Sequence, residues 1–184
     1  ATEVPATPER SFILGWNWRA PSVINELDNY VPPGSTIHVV ADAESAEETV
    51  RTECSGLKRQ KLQFRRADTT DRRVLDALKV QAYDHVIVLC YSDTLDVQKA
   101  DAITLITLLH LRDIADKANH RIPVVSEMLD IKNRALAEVT RADDFIVSDK
   151  LVSLMLSQIS ENKELNLVFA DLFSSEGSEI YLKP

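Results

Sequence analysis

Near the start of the chain, three residues match the spacing of a loop that binds the phosphates of a dinucleotide. The segment Phe12-Ile-Leu-Gly-Trp-Asn-Trp-Arg-Ala20 follows the pattern G-x-G-x-x-G at Gly15, Asn17 and Ala20. In that pattern the first glycine makes the turn, the second admits the pyrophosphate, and the third lets helix and strand pack closely. Gly15 keeps the turn and Ala20 is small, but Asn17 carries a side chain where phosphates need bare backbone. The segment therefore predicts a strand-loop-helix fold more clearly than it predicts a nucleotide.

Three further residues complete a candidate site for a small ligand. Arg19 lies in the same loop, and a guanidinium can hold a phosphate through two hydrogen bonds. Asp42 follows an apolar segment about two dozen residues after Gly15, where a carboxylate accepts from a ribose hydroxyl in dinucleotide-binding folds. Asp68 follows the next strand-like segment, where such folds meet the adenine edge. We predict contacts from Gly15, Asn17, Arg19, Asp42 and Asp68, with NAD or ATP disfavoured by the altered loop.

Carboxylates also follow most of the predicted strands. In open α/β sheets, ligands bind beyond the carboxyl ends of the strands. The segments predicted as strands 2 to 6 are followed by Asp42, Asp68, Asp93, Glu127 and Asp149. Calcium prefers several hard oxygen ligands, so a second prediction is a divalent cation held by Asp42, Asp68, Asp93 and Glu127. Structural roles compete with it, because Asp149 suits a helix cap and Asp93 a turn.

Alternating strand-like and helix-like segments position these residues. Short apolar runs predict strands that begin near Arg10, Thr36, Leu62, Asp84, Ile122 and Asp144. Amphipathic segments between and after them predict helices that begin near Pro21, Ser45, Asp71, Val97, Asp130 and Asp149. Because parallel strands need right-handed helical crossovers, the alternation predicts a Rossmann-like, doubly wound α/β fold. We expect a parallel six-stranded sheet in the order 3-2-1-4-5-6.

The composition restricts the class of protein. A chain of 184 residues with 27% charged content fits one globular domain. Its formal net charge of -8 leaves no broad basic face, so nucleic acid is not an expected partner. Cys54 and Cys90 lie far apart and are expected to be core thiols of a reducing compartment. We interpret residues 1–9, with Pro5 and Pro8, as a linker cut from a longer protein.

A catalytic site is not evident in the sequence. None of the four histidines has the position of a catalytic acid or base, and no G-x-S-x-G elbow or P-loop occurs. An S-adenosylmethionine-dependent methyltransferase would reuse Asp42 and Asp68, and it is the strongest enzymatic alternative. Such an enzyme would have a glycine-rich first loop and a final antiparallel hairpin, and neither is evident. A Rossmann-like fold without a catalyst is a candidate sensor.

Several ordered segments resemble the cytosolic domain of CASTOR/POLLUX-type ion channels, which is similar to the RCK (regulator of potassium conductance) or TrkA-N Rossmann domain. They are residues 12–18 (FILGWNW), 26–35 (ELDNYVPPGS), 125–130 (VSEMLD), 142–148 (ADDFIVS) and 177–182 (GSEIYL). The resemblance runs from about residue 10 to residue 184. It implies a linker at 1–9, a Rossmann-like RCK N-lobe at 10–148, a crossover helix at 149–163, and the start of a C-terminal lobe at 164–184.

The resemblance also implies a function. It predicts a non-catalytic, ligand-sensing domain that gates a potassium or other cation channel, on the cytoplasmic side of the membrane. The pore domain would lie in the same or an associated chain, and dimers of the domain would build a tetrameric or octameric ring. The broad apolar stripe between Leu151 and Ile159 is consistent with a partner subunit, or with packing on its own sheet. An enzyme, or an interaction domain with no small ligand, remain the alternatives.

Overall fold

The structure, a computed structural model, describes residues 7–133, 136, 144–146, 148–162 and 164–172. The chain divides into two compact units, Ala1–Val147 and Ser148–Pro184. In the described part, no helix combines the length and apolarity needed to cross a membrane. The division into a linker, an N-lobe, a crossover helix and the start of a C-terminal lobe remains a prediction. Residues 1–6 and 173–184 lie outside the described part.

The first unit is built on a parallel β-sheet. Its strands are β1 Arg10–Leu14, β2 Ser35–Ala41, β3 Gln60–Arg66, β4 His85–Val88, β5 Val124–Glu127 and β6 Asp144–Ile146. Five strands follow the order β3-β2-β1-β4-β5, and the three-residue β6 pairs in parallel with β5 at the edge. The predicted Rossmann-like parallel α/β fold is therefore confirmed.

Helices cover both faces of this sheet. The α-helices of the first unit include α1 Ala20–Tyr30, α2 Ala46–Glu53, α3 Arg72–Leu78 and α4 Val97–Ala118, and a 3-10 helix spans Val80–Ala82. The central strand β1 buries Phe12 and Leu14 in a cluster with α3 and α4, whereas Ile13 joins a cluster with α1 and α2. Successive side chains of a strand point to opposite faces of the sheet. Because helices cover both faces here, both sets of β1 side chains are apolar.

Two predicted elements differ from the structure. Strand β3 extends over Gln60–Arg66, beyond its predicted apolar residues Leu62 to Phe64, because it pairs with all seven residues of β2. After β5, Asp130 is followed by a 3-10 helix at Ile131–Asn133, where an α-helix was predicted to continue past Leu136. Most of the remaining predicted helix lies outside the described residues.

The second unit contains two described helices, α5 Ser148–Glu161 and α6 Leu165–Leu172. Several of their large apolar side chains are exposed: Val152, Leu154, Leu156, Leu167 and Val168. A helix was predicted from about Asp149 to Ser160, and α5 occupies that segment. Residues 177–182, which carry part of the resemblance, lie outside the described residues.

Candidate functional site

Gly15 makes the turn that leads from β1 to α1. Its φ is +91°, a conformation that favours glycine. A Cβ at this position would lie 2.0 Å from the carbonyl oxygen of Leu89. The Gly15 N–H donates to the carbonyl of Val40 at 3.0 Å, so the turn sits tightly between β2 and the end of β4. Gly15 is therefore required by the fold, whether or not a ligand binds.

Asn17, at the position of the second fingerprint glycine, is fully buried. Its Nδ2 donates to the carbonyl oxygen of Cys90 at 2.8 Å and to Oε2 of Glu127 at 2.7 Å. Its Oδ1 accepts from the N–H of Arg19 at 3.0 Å. One side chain thus connects the loop after β1 to the ends of β4 and β5. The space that an unsubstituted backbone would leave for phosphates is occupied by this amide.

Glu127, the last residue of β5, brings a buried carboxylate to the same point. Besides Asn17, its Oε2 accepts from the N–H of Cys90 at 3.2 Å, and its Oε1 lies 2.9 Å from Nη1 of Arg19. The guanidinium of Arg19 also lies 4.8 Å from the ring centroid of Trp18. The carboxylate is therefore compensated by an amide, a backbone N–H and a cation. We refer to Asn17, Arg19, Cys90 and Glu127 as the loop cluster.

Aromatic side chains pack beside this loop. Trp16 is 6% exposed and meets Phe64 of β3 edge to face, with ring centroids 6.4 Å apart. Tyr91, just after β4, is also buried, and its hydroxyl accepts from the N–H of Asp42 at 3.0 Å. Burial raises the pKa of the Tyr91 hydroxyl. Trp18, by contrast, is 68% exposed. Trp16 and Tyr91 thus fill the α1 and α2 side of the loop with protein atoms.

The remaining predicted acids accept hydrogen bonds from residues outside the loop cluster. Oδ1 of Asp42 accepts from Nε of Arg66 at 3.1 Å, and both side chains are largely exposed. Oδ1 of Asp68 accepts from the N–H and hydroxyl of Thr70, and Asp93 accepts from Ser92. Within the described ranges, no group of three or more His, Cys, Asp or Glu side chains is placed to hold a metal ion. The divalent-cation site stays a prediction.

Two buried residues, Asp101 beside the loop cluster and Cys90 within it, were not predicted as part of a site. Asp101 of α4 accepts from the N–H groups of Leu129 and Asp130 and from Nδ2 of Asn133. The Cys90 thiol donates to the carbonyl of Glu127 at 3.2 Å. Burial raises the pKa of this thiol to about 12, so Cys90 is not a nucleophile at neutral pH. The sequence signal for Asp101 is a carboxylate on the helical face that also carries Ala100 and Leu108.

A cavity of about 480 Å³ lies elsewhere, between the C-terminal part of α4 and the start of β5. It is lined by Leu108, Leu111, Arg112, His120, Ile122 and Val124, among others. None of the predicted site residues lines it. The loop cluster and this cavity are therefore distinct features of the first unit.

Comparison with known proteins finds relatives among plant ion channels, although no family model matches the chain. The chain is 27% identical to the ion channel DMI1 of Medicago truncatula, over 98% of this chain and 24% of that protein. It is 26% identical to the ion channel POLLUX of Lotus japonicus, over 99% and 24%. It is also 26% identical to a probable ion channel CASTOR of Oryza sativa subsp. japonica, over 98% and 24%. The predicted resemblance to CASTOR/POLLUX-type channels is confirmed, and the chain spans about a quarter of the length of these relatives.

Solved structures share the fold. One is the NAD(P)-binding domain of an exopolyphosphatase-related protein from Archaeoglobus fulgidus, with a TM-score of 0.59 and 16% identity over 83% of this chain and 98% of that one. The TrkA-N domain of the inner membrane protein ybaL from Escherichia coli has a TM-score of 0.56 and 10% identity, over 83% and 97%. The GsuK RCK domain has a TM-score of 0.53 and 16% identity, over 79% and 28%. At these identities the likeness shows the Rossmann-like fold.

Proposed function

We propose that this chain, whose homologues are CASTOR- and POLLUX-type ion channels, is a non-catalytic regulatory domain that gates a potassium or other cation channel. The observation that carries the proposal is the extent of the similarity, since 98% or more of the chain aligns with each of three channels. The pore would belong to the same or an associated chain, with this domain on the cytoplasmic side. Such a domain acts by stabilising one state of the gate more than the other.

The described contacts support a structural rather than a catalytic use of the buried polar groups. Asn17 and Glu127 connect three strand ends, and Asp101 connects α4 to the segment after β5. The Cys90 thiol, with its raised pKa, takes part in the same contacts. Groups that are saturated by protein partners cannot readily act as acids, bases or nucleophiles. They can transmit a displacement of one element to another.

Assembly into a homo-oligomeric ring is the second part of the proposal. Ile106 and Leu109 on α4 are 43% and 49% exposed, and Leu156 on α5 is 64% exposed. Large apolar side chains that recur along a helix are typical of protein interfaces. We therefore expect the chain to self-associate through at least one of these helices. The number of subunits in the ring, four or eight, is part of the proposal.

Sedimentation velocity over a range of concentrations tests the assembly. The wild-type chain is expected to form dimers or larger species, and Leu156→Glu is expected to shift the equilibrium towards monomer. Gln158→Glu is the matched control, because it adds a charge to an exposed polar position of the same helix. A wild-type chain that remains monomeric at the highest concentration would contradict this part.

Single-channel recording of the full-length protein tests the regulation itself. Replacement of Leu156 by Glu is expected to change the open probability while the single-channel conductance stays the same, because the pore is untouched. If deletion of the whole domain leaves the open probability unchanged, the regulatory proposal is wrong.

A second candidate function is an interaction domain with no small ligand in the crevice, by which we mean the region beyond the carboxyl ends of β1, β4 and β5. It is favoured by the burial of Trp16 and by the loop cluster, which together fill the crevice with side chains. Thermal shift with calcium, NAD and ATP separates the candidates. A raised unfolding temperature with calcium that is lost in Asp42→Asn would support ligand sensing, whereas no shift with any of them would support the interaction domain.

A further inference from the structure

We propose that Glu127 is a built-in anion, whose carboxylate takes the place of a nucleotide phosphate at the Gly15 loop and excludes nucleotides from the crevice. This proposal rests on the proposed function in one respect, namely that a ligand of the regulatory domain would bind in this crevice. It names the class of ligand that the wild-type crevice rejects, namely nucleoside di- and triphosphates and dinucleotides.

The donors of the loop cluster converge on this one carboxylate. Asn17 Nδ2 lies 2.7 Å from Oε2, the Cys90 N–H lies 3.2 Å from it, and Arg19 Nη1 lies 2.9 Å from Oε1. An amide, a backbone N–H and a guanidinium are the groups that proteins use to bind phosphate. Here the amide and the guanidinium come from the loop after β1, the backbone N–H comes from the end of β4, and the anion they meet is supplied by β5.

Asn17 and Arg19, which meet the carboxylate, directly precede α1 in the chain. The loop leads directly into α1, and the N-terminus of a helix stabilises negative charge. Fingerprint loops that bind dinucleotides leave this place open until the pyrophosphate arrives. In this chain the negative charge belongs to the protein itself, so Asn17 and Arg19 are held by Glu127 without a nucleotide.

A nucleotide phosphate would meet two obstacles in the wild-type crevice. It would bring a second anion next to a buried carboxylate, and the separation of Arg19 from Glu127 would leave that carboxylate without its cation. The side chain of Asn17, which is 0% exposed, would also have to leave its partners on Cys90 and Glu127. Removal or neutralisation of Glu127 abolishes the first obstacle and weakens the second, because Asn17 then keeps Cys90 as its acceptor but loses the carboxylate.

Calorimetric titration with ADP tests the proposal on the purified chain. We expect binding to wild type to lie at or below the limit of detection, and an affinity about tenfold or more above that limit for Glu127→Ala, which frees an amide N–H, a backbone N–H and the paired guanidinium for the phosphate. Glu127→Gln removes the charge but keeps the shape, and it should give a smaller gain. Sodium formate at constant ionic strength should raise the unfolding temperature of Glu127→Ala, since formate can replace the lost carboxylate.

Asp28→Ala is the matched control. Asp28 is also a buried carboxylate that accepts from three backbone N–H groups, those of Lys58, Arg59 and Gln60, but it lies at the far end of α1 from the Gly15 loop. ADP should not bind to that variant any better than to wild type. A gain in Asp28→Ala equal to the gain in Glu127→Ala would overturn the proposal, because the effect would then be general.

Two further outcomes decide the matter. If the wild-type chain binds ADP as tightly as both Glu127 variants, the carboxylate does not exclude nucleotides and the proposal is wrong. If Glu127→Ala does not fold, Glu127→Gln decides alone, and the same ADP affinity as wild type overturns the proposal. These readouts concern nucleotide affinity, so their failure is distinct from a failure of the gating or assembly experiments.

Discussion

The amide of Asn17 illustrates how single side chains determine the site. It donates to Cys90 and Glu127 and accepts from Arg19, so one residue connects the loop after β1 to two other strand ends. A buried amide left without these partners would be costly, by about 1–3 kcal/mol per unsatisfied group. The same reasoning at the scale of residues gives two predictions, one for a glycine and one for a histidine.

Gly15→Ala is expected to destabilise the fold by several kcal/mol, about 3 or more, because the new Cβ meets the Leu89 carbonyl and φ is positive. Gly34→Ala should lower the free energy of unfolding by less. Its φ is also +91°, but the atom nearest to the new Cβ is 3.5 Å away, on the Pro8 side chain. Gly56→Ala is the control, since the structure places no heavy atom of a non-adjacent residue within 4 Å of a Cβ added at this position. Urea unfolding measures all three, and equal losses at Gly15 and Gly56 would contradict the prediction.

His38 is expected to make the stability depend on pH. Burial, aided by the charges of Arg65 and Arg10, lowers the pKa of its imidazole below 6.5, while Nδ1 lies 2.8 Å from the Tyr83 hydroxyl. The unfolded chain therefore binds the proton more readily than the folded chain. Stability should fall as the pH drops below 6.5 and level off below the lowered pKa.

Unfolding free energies measured across that interval check this prediction. His38→Gln should flatten the curve, because it removes the titrating group and can still bond to Tyr83. His120→Gln changes an exposed histidine after α4 and should leave the curve as in wild type. An unchanged slope in His38→Gln would show that another group is responsible.

At the scale of elements, the fold depends on a few polar connections between helices and strands. Asp28 of α1 accepts from the N–H groups of Lys58, Arg59 and Gln60, where β3 begins. Asp101 of α4 holds the segment after β5 in the same way. These connections fix where a helix lies along the sheet, which apolar packing alone specifies weakly.

Asp28→Asn should lower the free energy of unfolding by about 2–4 kcal/mol. The amide nitrogen of the new side chain cannot accept a hydrogen bond, so an N–H group of the side chain would face a backbone N–H donor. Burial opposes the charge of Asp28, but the three backbone N–H groups outweigh it and lower the pKa below 3.8. The stabilisation is therefore present above pH 3.8 and is lost as the pH falls towards the lowered pKa.

Urea unfolding at neutral and acid pH tests Asp28→Asn, whose acid-induced loss should be smaller than that of wild type. The control is Asp76→Asn on α3, where the carboxylate is 55% exposed and pairs with Arg72. A much smaller loss is expected there because solvent screens the pair. If both variants lose the same stability, the buried connection has no special role.

At the scale of the whole molecule, the chain forms two units, and the first contains all the strands in the described part of the chain. Its two buried clusters are formed by residues between Phe12 and Met128. We expect residues 1–147 alone to fold and to unfold cooperatively, since a unit with its own core can fold independently. Urea unfolding followed by circular dichroism and by tryptophan fluorescence tests this, and transitions that do not coincide would contradict it.

Much of the fold could be predicted from local patterns. The apolar runs around Phe12, Val39 and Val86 and the amphipathic helices between them are enough to predict a parallel α/β sheet, because helical crossovers are needed to join parallel strands. The turn at Gly15 could also be predicted, since the chain must reverse tightly between β1 and α1. The extent of β3 could not, because its outer residues become strand by pairing with β2.

The site was less predictable, and the reason is physical. The sequence by itself determined the parallel sheet, the turn at Gly15, and the presence of acids at the strand ends, because these follow from local periodicity and turn chemistry. Only the tertiary structure decided that Asn17 meets Glu127, 110 residues away, and that Asp42 and Asp68 have other partners. A residue's type states which bonds it can make, but its partner is chosen by how strands from distant parts of the chain align at one edge of the sheet.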